Sequence, residues 1–180
     1  MTTRLVALLR GINVGRAKRV SMADLRGLLT DLGYTEVATY LQSGNAVFSC
    51  TASAAGTAAA NIEAGLTRTL GVSSTVIVRT AAELNRAVGQ APLLDRMTDP
   101  SRYLVGFLGG DSDPEGVRSL DALDVAPNHI RVIGRELYLW CPDGVLASPF
   151  GTTRWDRVLG VPVTMRNWKT VTRLVALSTV

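Results

Sequence analysis

The chain has 180 residues and a formal net charge of +4, with 47% hydrophobic and 19% charged residues. That balance excludes the low-hydrophobicity, high-charge regime of disorder, and the longest apolar runs fall far short of the ~20 residues a membrane-spanning helix needs. A single histidine, His129, and two cysteines leave too few parts for the usual zinc ligand sets, and neither a metal nor a cofactor is expected.

Residues 4–10, RLVALLR, form a short apolar run that predicts a buried strand and does not read as a secretory signal. Ser21 then stands where a helix N-cap belongs, with Asp24 three positions on. Met22, Leu25, Leu28, Leu29 and Leu32 recur at helical spacing before Gly33. The β-rich runs VATYLQ and NAVFSC flank Ser43-Gly44, where Gly44 supplies the positive φ of a tight hairpin. Ile62, Leu66 and Leu70 recur every four residues and Gly71 closes them, which predicts a helix from about residue 56. TVIVR follows as a strand. The order β-α-β-β-α-β is that of a ferredoxin-like unit.

A second cycle follows. Thr80 and Glu83 form a capping box for a linking helix, and the Pro/Asp-containing stretch 92–100 marks a boundary between lobes. Beyond it come a strand YLVGFLG, a helix with Asp113 as cap and Pro114 at its first position, and a hairpin turning at Gly134-Arg135. A helix or irregular turn is expected over 146–160 and a short strand over 161–166, after which Asn167 caps a final helix bearing Trp168, Val171, Leu174 and Val175 on one face. The expected fold is α+β: two ferredoxin-like lobes, residues 1–92 and 93–180, from an internal duplication.

Charge is concentrated at the two ends. Five cations and no acid precede Asp24, namely Arg4, Arg10, Arg16, Lys18 and Arg19, while Arg154, Arg157, Arg166, Lys169 and Arg173 face only Asp156. Brought together, these segments make a basic surface suited to an anionic ligand or a nucleic-acid backbone; kept apart, they are a solvated surface. Cys50 and Cys141 end strand-like runs and make no CxxC, which fits packed thiols in a reducing, cytoplasmic compartment.

Three segments hold the candidate functional residues. Arg10-Gly11-Ile12-Asn13-Val14-Gly15 continues into Arg16, Lys18 and Arg19, so glycines open the backbone beside cations, although the spacing is neither a P-loop nor a dinucleotide fingerprint. Gln42-Ser43-Gly44-Asn45 brings amides and a hydroxyl to a hairpin tip, where on local evidence a purely structural turn is the leading reading. Arg166-Asn167-Trp168 joins a cation, a helix cap and an aromatic able either to stack on a ligand or to anchor the last helix.

The runs LLRGINVG at 8–15, YLQSGNAVF at 40–48 and TMRNWKTV at 164–171, in that order, resemble the bacterial family known as domain of unknown function 1697. The resemblance implies two similar α+β lobes and supplies no catalytic residue. It implies a shared site among Arg10, Asn13, Gly15, Lys18, Gln42, Ser43, Gly44, Asn45, Arg166, Asn167 and Trp168. Arg16 stands where the family more often has a second glycine, which narrows the pocket or adds charge to it.

The leading expectation is a binding protein for a nucleotide, a phosphorylated small molecule or a nucleic-acid backbone, in a basic polar cleft between the lobes. There Arg10, Lys18 and Arg166 neutralise the anion, Asn13, Gln42 and Asn45 orient it, and Trp168 packs or stacks. No membrane partner is expected. An enzyme of unknown reaction on a phosphate- or carboxylate-bearing substrate is the alternative, although the motif loops offer no histidine or carboxylate for proton transfer. A protein-interaction or structural role is the third reading.

Overall fold

The computed structural model describes residues 1–15 and 18–179. It comprises two compact units, one of Met1–Arg86 with Arg173–Val180 and one of Ala87–Thr172. Among the described residues no helix is long and apolar enough to cross a membrane.

The first unit contains β1 (Thr2–Leu9), α1 (Met22–Asp31), β2 (Thr35–Tyr40), β3 (Asn45–Thr51), the short α2 (Ala52–Ala55), α3 (Ala58–Leu70), β4 (Val76–Thr80) and most of α4 (Ala81–Gly89). Its sheet is antiparallel, in the order β2-β3-β1-β4. Alternation along β1 sends Leu5, Ala7 and Leu9 into one core, where they meet Phe48, the α1 residues Leu25 and Leu29, and the α3 residues Ile62 and Leu66. α1 starts where the Ser21 side chain accepts from Asp24 N at 3.0 Å. α3 begins at Ala58 rather than about 56, because Ala52–Ala55 forms a separate turn of helix, and it ends on Gly71 at φ +64°.

The second unit contains β5 (Tyr103–Leu108), α5 (Pro114–Asp121), β6 (His129–Ile133), β7 (Glu136–Trp140), the short α6 (Trp155–Leu159), β8 (Val163–Asn167) and the start of α7 (Trp168–Ser178). Its antiparallel sheet has the order β6-β7-β5-β8. Leu108, Leu137 and Leu139 pack with Leu120, Phe150, Trp155 and Leu159. Where the first unit has α3, this one has 3-10 turns and α6, the irregular stretch expected over 146–160. Gly116 brings α5 onto α6, since a Cβ there would lie 1.9 Å from the Val158 carbonyl oxygen.

The registers of the two sheets correspond. Val6 pairs with Arg79 as Val105 pairs with Arg166. Beyond the strand ends, Leu9 N donates to Gly44 O at 2.8 Å and Leu108 N to Arg135 O at 3.0 Å, while Arg10 N reaches Thr75 O at 2.9 Å and Gly109 N reaches Pro162 O at 2.8 Å. The following helices are capped alike, by Thr80 Oγ1 accepting from Glu83 N and by Asn167 Oδ1 accepting from Thr170 N. Their first connections differ in length: twelve residues, 10–21, join β1 to α1, whereas five, 109–113, join β5 to α5.

The compact units do not divide at 92/93. Segment 87–92 belongs to the second because the Tyr138 hydroxyl donates to Ala87 O at 2.7 Å, the Tyr103 hydroxyl donates to Pro92 O at 2.6 Å, and Gln90 Nε2 donates to the Tyr138 hydroxyl at 3.2 Å. The end of α7 joins the first unit, where Arg4 holds it: Nη2 donates to Leu177 O at 3.3 Å, while Nη1 donates to Glu36 O and Ser49 Oγ.

Burial pushes the Tyr138 hydroxyl up from its ordinary value near 10 to about 12, raises Tyr103 as well, and raises the thiols of Cys50 and Cys141. Raised acids keep their protons in the folded state while the unfolded chain releases them, so their stabilisation is complete below the unfolded values and is lost as pH climbs. Stability is therefore expected to decline from near pH 9, more steeply between pH 10 and 12, by up to ~1.4 kcal/mol per pH unit for each tyrosine. Denaturant titrations from pH 8 to 12 measure this, and Tyr138→Phe should flatten the upper part of the curve.

Candidate functional site

The long β1–α1 connection folds back on the β2–β3 hairpin tip, and one side chain makes the joint. Asn13, at φ +55°, donates from Nδ2 to Val20 O at 2.8 Å and to Gln42 O at 2.6 Å, and its Oδ1 accepts from Val20 N at 2.9 Å. Its backbone N donates to Lys18 O at 3.0 Å. Both amide protons are committed within the protein, so Asn13 shapes the loop rather than orienting a ligand. Gly44 completes the joint. It adopts φ +80°, and a Cβ there would lie 2.8 Å from both Leu9 Cβ and Ile12 Cδ1.

Asn45 is fully buried and closes the hairpin from inside, donating to Tyr40 O at 2.8 Å and to Ser43 Oγ at 3.0 Å. Its two amide protons are spent on that turn. Gln42 and Ser43 are exposed at the tip.

Between loop and helix lies an open cavity of about 530 Å³ lined by Asn13, Arg19, Val20, Ser21, Asp24 and Gln42. Lys18 and Arg19 are exposed, with Lys18 at φ +51° and Gly15 at φ +64° between them and Asn13. Arg19 Nη1 reaches back to Gly15 O at 3.4 Å, leaving its other donors for solvent or ligand. Arg10 is half-buried at the strand end, where its carbonyl accepts from Ser74 Oγ at 2.8 Å. Arg16, read as narrowing or charging the pocket, lies outside the described residues.

The third expected segment belongs to the second unit. Arg166 is 9% exposed on β8, where its Nη1 donates to Thr164 Oγ1 at 3.0 Å and to Met165 O at 2.7 Å. Burial lowers its pKa to about 10, so it stays charged at neutral pH. Asn167 is the cap of α7, and Trp168 is buried edge-on to Tyr103 with ring centroids 5.2 Å apart. Trp168 therefore anchors its helix in the core rather than offering a face to a ligand.

Thus Asn13 is hydrogen-bonded to both Lys18 and Gln42, Gly15 lies in the same loop, Ser43 follows Gln42 at the hairpin tip and Asn45 braces that tip from inside, while Arg10 is tied to Ser74 and Thr75. Ser21 and Asp24 line the cavity although their spacing reads only as a helix cap; the cue was that the cap directly follows the basic run. Arg79 also escaped sequence reading. It is 2% exposed in a register that matches Arg166, and the pairing of TVIVR with VTMRN was the signal. Among the described residues, no group of three or more His, Cys, Asp or Glu is placed to hold a metal ion.

The family described as protein of unknown function (DUF1697) matches residues 1–138. The chain belongs to that family. The DUF1697 match includes the basic loop, the hairpin tip and Arg79, while Arg166–Trp168 lie beyond it. Among solved structures, a conserved bacterial protein from Streptococcus pneumoniae superposes with a TM-score of 0.77 at 22% identity, covering 98% of this chain and 99% of its own. At that identity the likeness concerns the fold. No protein among those with curated functions matches.

Proposed function

We infer that the protein binds an anionic ligand, of the nucleotide, phosphorylated small-molecule or nucleic-acid-backbone class, on the β1–α1 loop and hairpin tip of the first of two ferredoxin-like lobes. One comparison within the molecule carries the reading. Two units with matching registers differ by a connection of twelve residues against five, and the longer one holds Lys18 and Arg19 exposed beside an open cavity. A βα connection needs no such length, so the extra chain is what the fold does not require. Two of its non-glycine residues, Asn13 and Lys18, hold positive φ, local backbone strain of the kind binding sites commonly keep.

A thermal-shift titration against nucleotides, sugar phosphates, pyrophosphate and short single-stranded DNA tests the inference. A bound anion at a hundred times its dissociation constant should stabilise the protein by ~2.7 kcal/mol. Arg19→Ala and Lys18→Ala should each weaken binding ~10-fold or more, as expected for a lost charge-assisted hydrogen bond. Raising ionic strength should weaken it further. The absence of any shift across these anions rejects the inference.

A further inference from the structure

The lining of the first unit's cavity is not uniformly basic. Arg19 stands on it and so does Asp24, yet among the described residues no ion pair joins them or engages either one. Asp24 serves the cap through its backbone N alone, which leaves its exposed carboxylate without a described hydrogen bond. A site for bare phosphate gains nothing from a carboxylate in its wall, because like charges repel there. An ionised carboxylate only accepts hydrogen bonds, so what satisfies it is a donor on the ligand.

We propose that this cavity takes a small phosphorylated molecule that also bears a hydroxyl or amino donor, its phosphate held by Arg19 and its donor by Asp24. The proposal rests on the anion-binding reading above and adds the second contact. The Ser21 hydroxyl accepts from Asp24 N and retains its own proton to donate, and the exposed Gln42 amide supplies a donor and an acceptor across the cavity. The volume of about 530 Å³ falls within the range of small-ligand sites and suits a sugar phosphate or mononucleotide.

Calorimetric titration with ribose 5-phosphate and with methyl phosphate separates the two contacts. The unmodified protein should bind ribose 5-phosphate at least 10-fold more tightly. Asp24→Ala and Asp24→Asn should remove most of that preference, with methyl phosphate unchanged or improved, while Arg19→Ala weakens both probes. Circular dichroism and melting temperature establish that each variant is folded, and Asp24→Asn preserves side-chain shape at the helix start. Equal binding of the two probes to the unmodified protein, or Asp24 variants that alter both probes alike, overturns the donor contact and leaves anion binding standing. If neither probe binds, the donor contact fails, and the thermal-shift titration with the other anions decides the anion-binding reading by itself.

Discussion

Gly44→Ala is expected to destabilise the protein by ~3 kcal/mol, from the strain of a non-glycine residue at φ +80° and from overpacking at the new methyl group. The methyl would lie 2.8 Å from Leu9 Cβ, an atom fixed to the strand backbone, so no rotamer change relieves the contact. The hairpin tip must instead lift from the loop. That lift strains the 2.6 Å Asn13–Gln42 bond and opens the cavity wall, so phosphate binding should weaken as well. Gly15→Ala provides the comparison, because it shares a positive φ of 64° but has no atom within 4 Å of its Cβ position. It should cost only ~1 kcal/mol. Urea denaturation of the two variants isolates the steric part, and equal losses would show that the loop does not bear on the hairpin.

Gly116→Ala should have a comparable effect of opposite sign to that expected from helix propensity. In an exposed helix interior the change is favourable by ~1 kcal/mol. Here the methyl would sit 1.9 Å from the Val158 carbonyl oxygen and 3.0 Å from its carbon, both backbone atoms, so α5 and α6 must separate. A loss of ~3 kcal/mol or more is expected, at the upper end of overpacking in well-filled cores. Gly27→Ala in α1, where nothing lies within 4 Å, should instead stabilise by the propensity gain. Opposite signs for two Gly→Ala changes in helices, read from the same denaturation experiment, are the diagnostic result.

Much of the fold was legible because local chemistry reports on itself. Ser21, Thr80, Asp113 and Asn167 all cap helices as their spacing implies, and Gly44 and Gly134 turn the hairpins at positive φ. What escaped sequence reading depends on distant partners. Gly116 resembles any helical glycine until α6 is laid against it. The break at Arg86/Ala87 is set by hydroxyls on Tyr103 and Tyr138, far along the chain. The candidate site was half legible for the same reason. The cations and glycines of the loop announce themselves, but only the folded chain shows that Asn13 and Asn45 spend their amides on the scaffold, that Trp168 is core, and that Asp24 faces the cavity.

Arg4 binds together the two separate stretches of chain that make the first unit. It lies on β1, yet one of its hydrogen-bond acceptors is the carbonyl of Leu177, 173 residues onward. The first sheet, whose strands are all present by Thr80, therefore receives this fastening from residues 173–179, which follow the whole of the second unit in the chain. A chain cut after residue 172 would keep every strand of both sheets and lose that fastening. A change at the end of α7 is therefore felt in the unit that bears the basic loop.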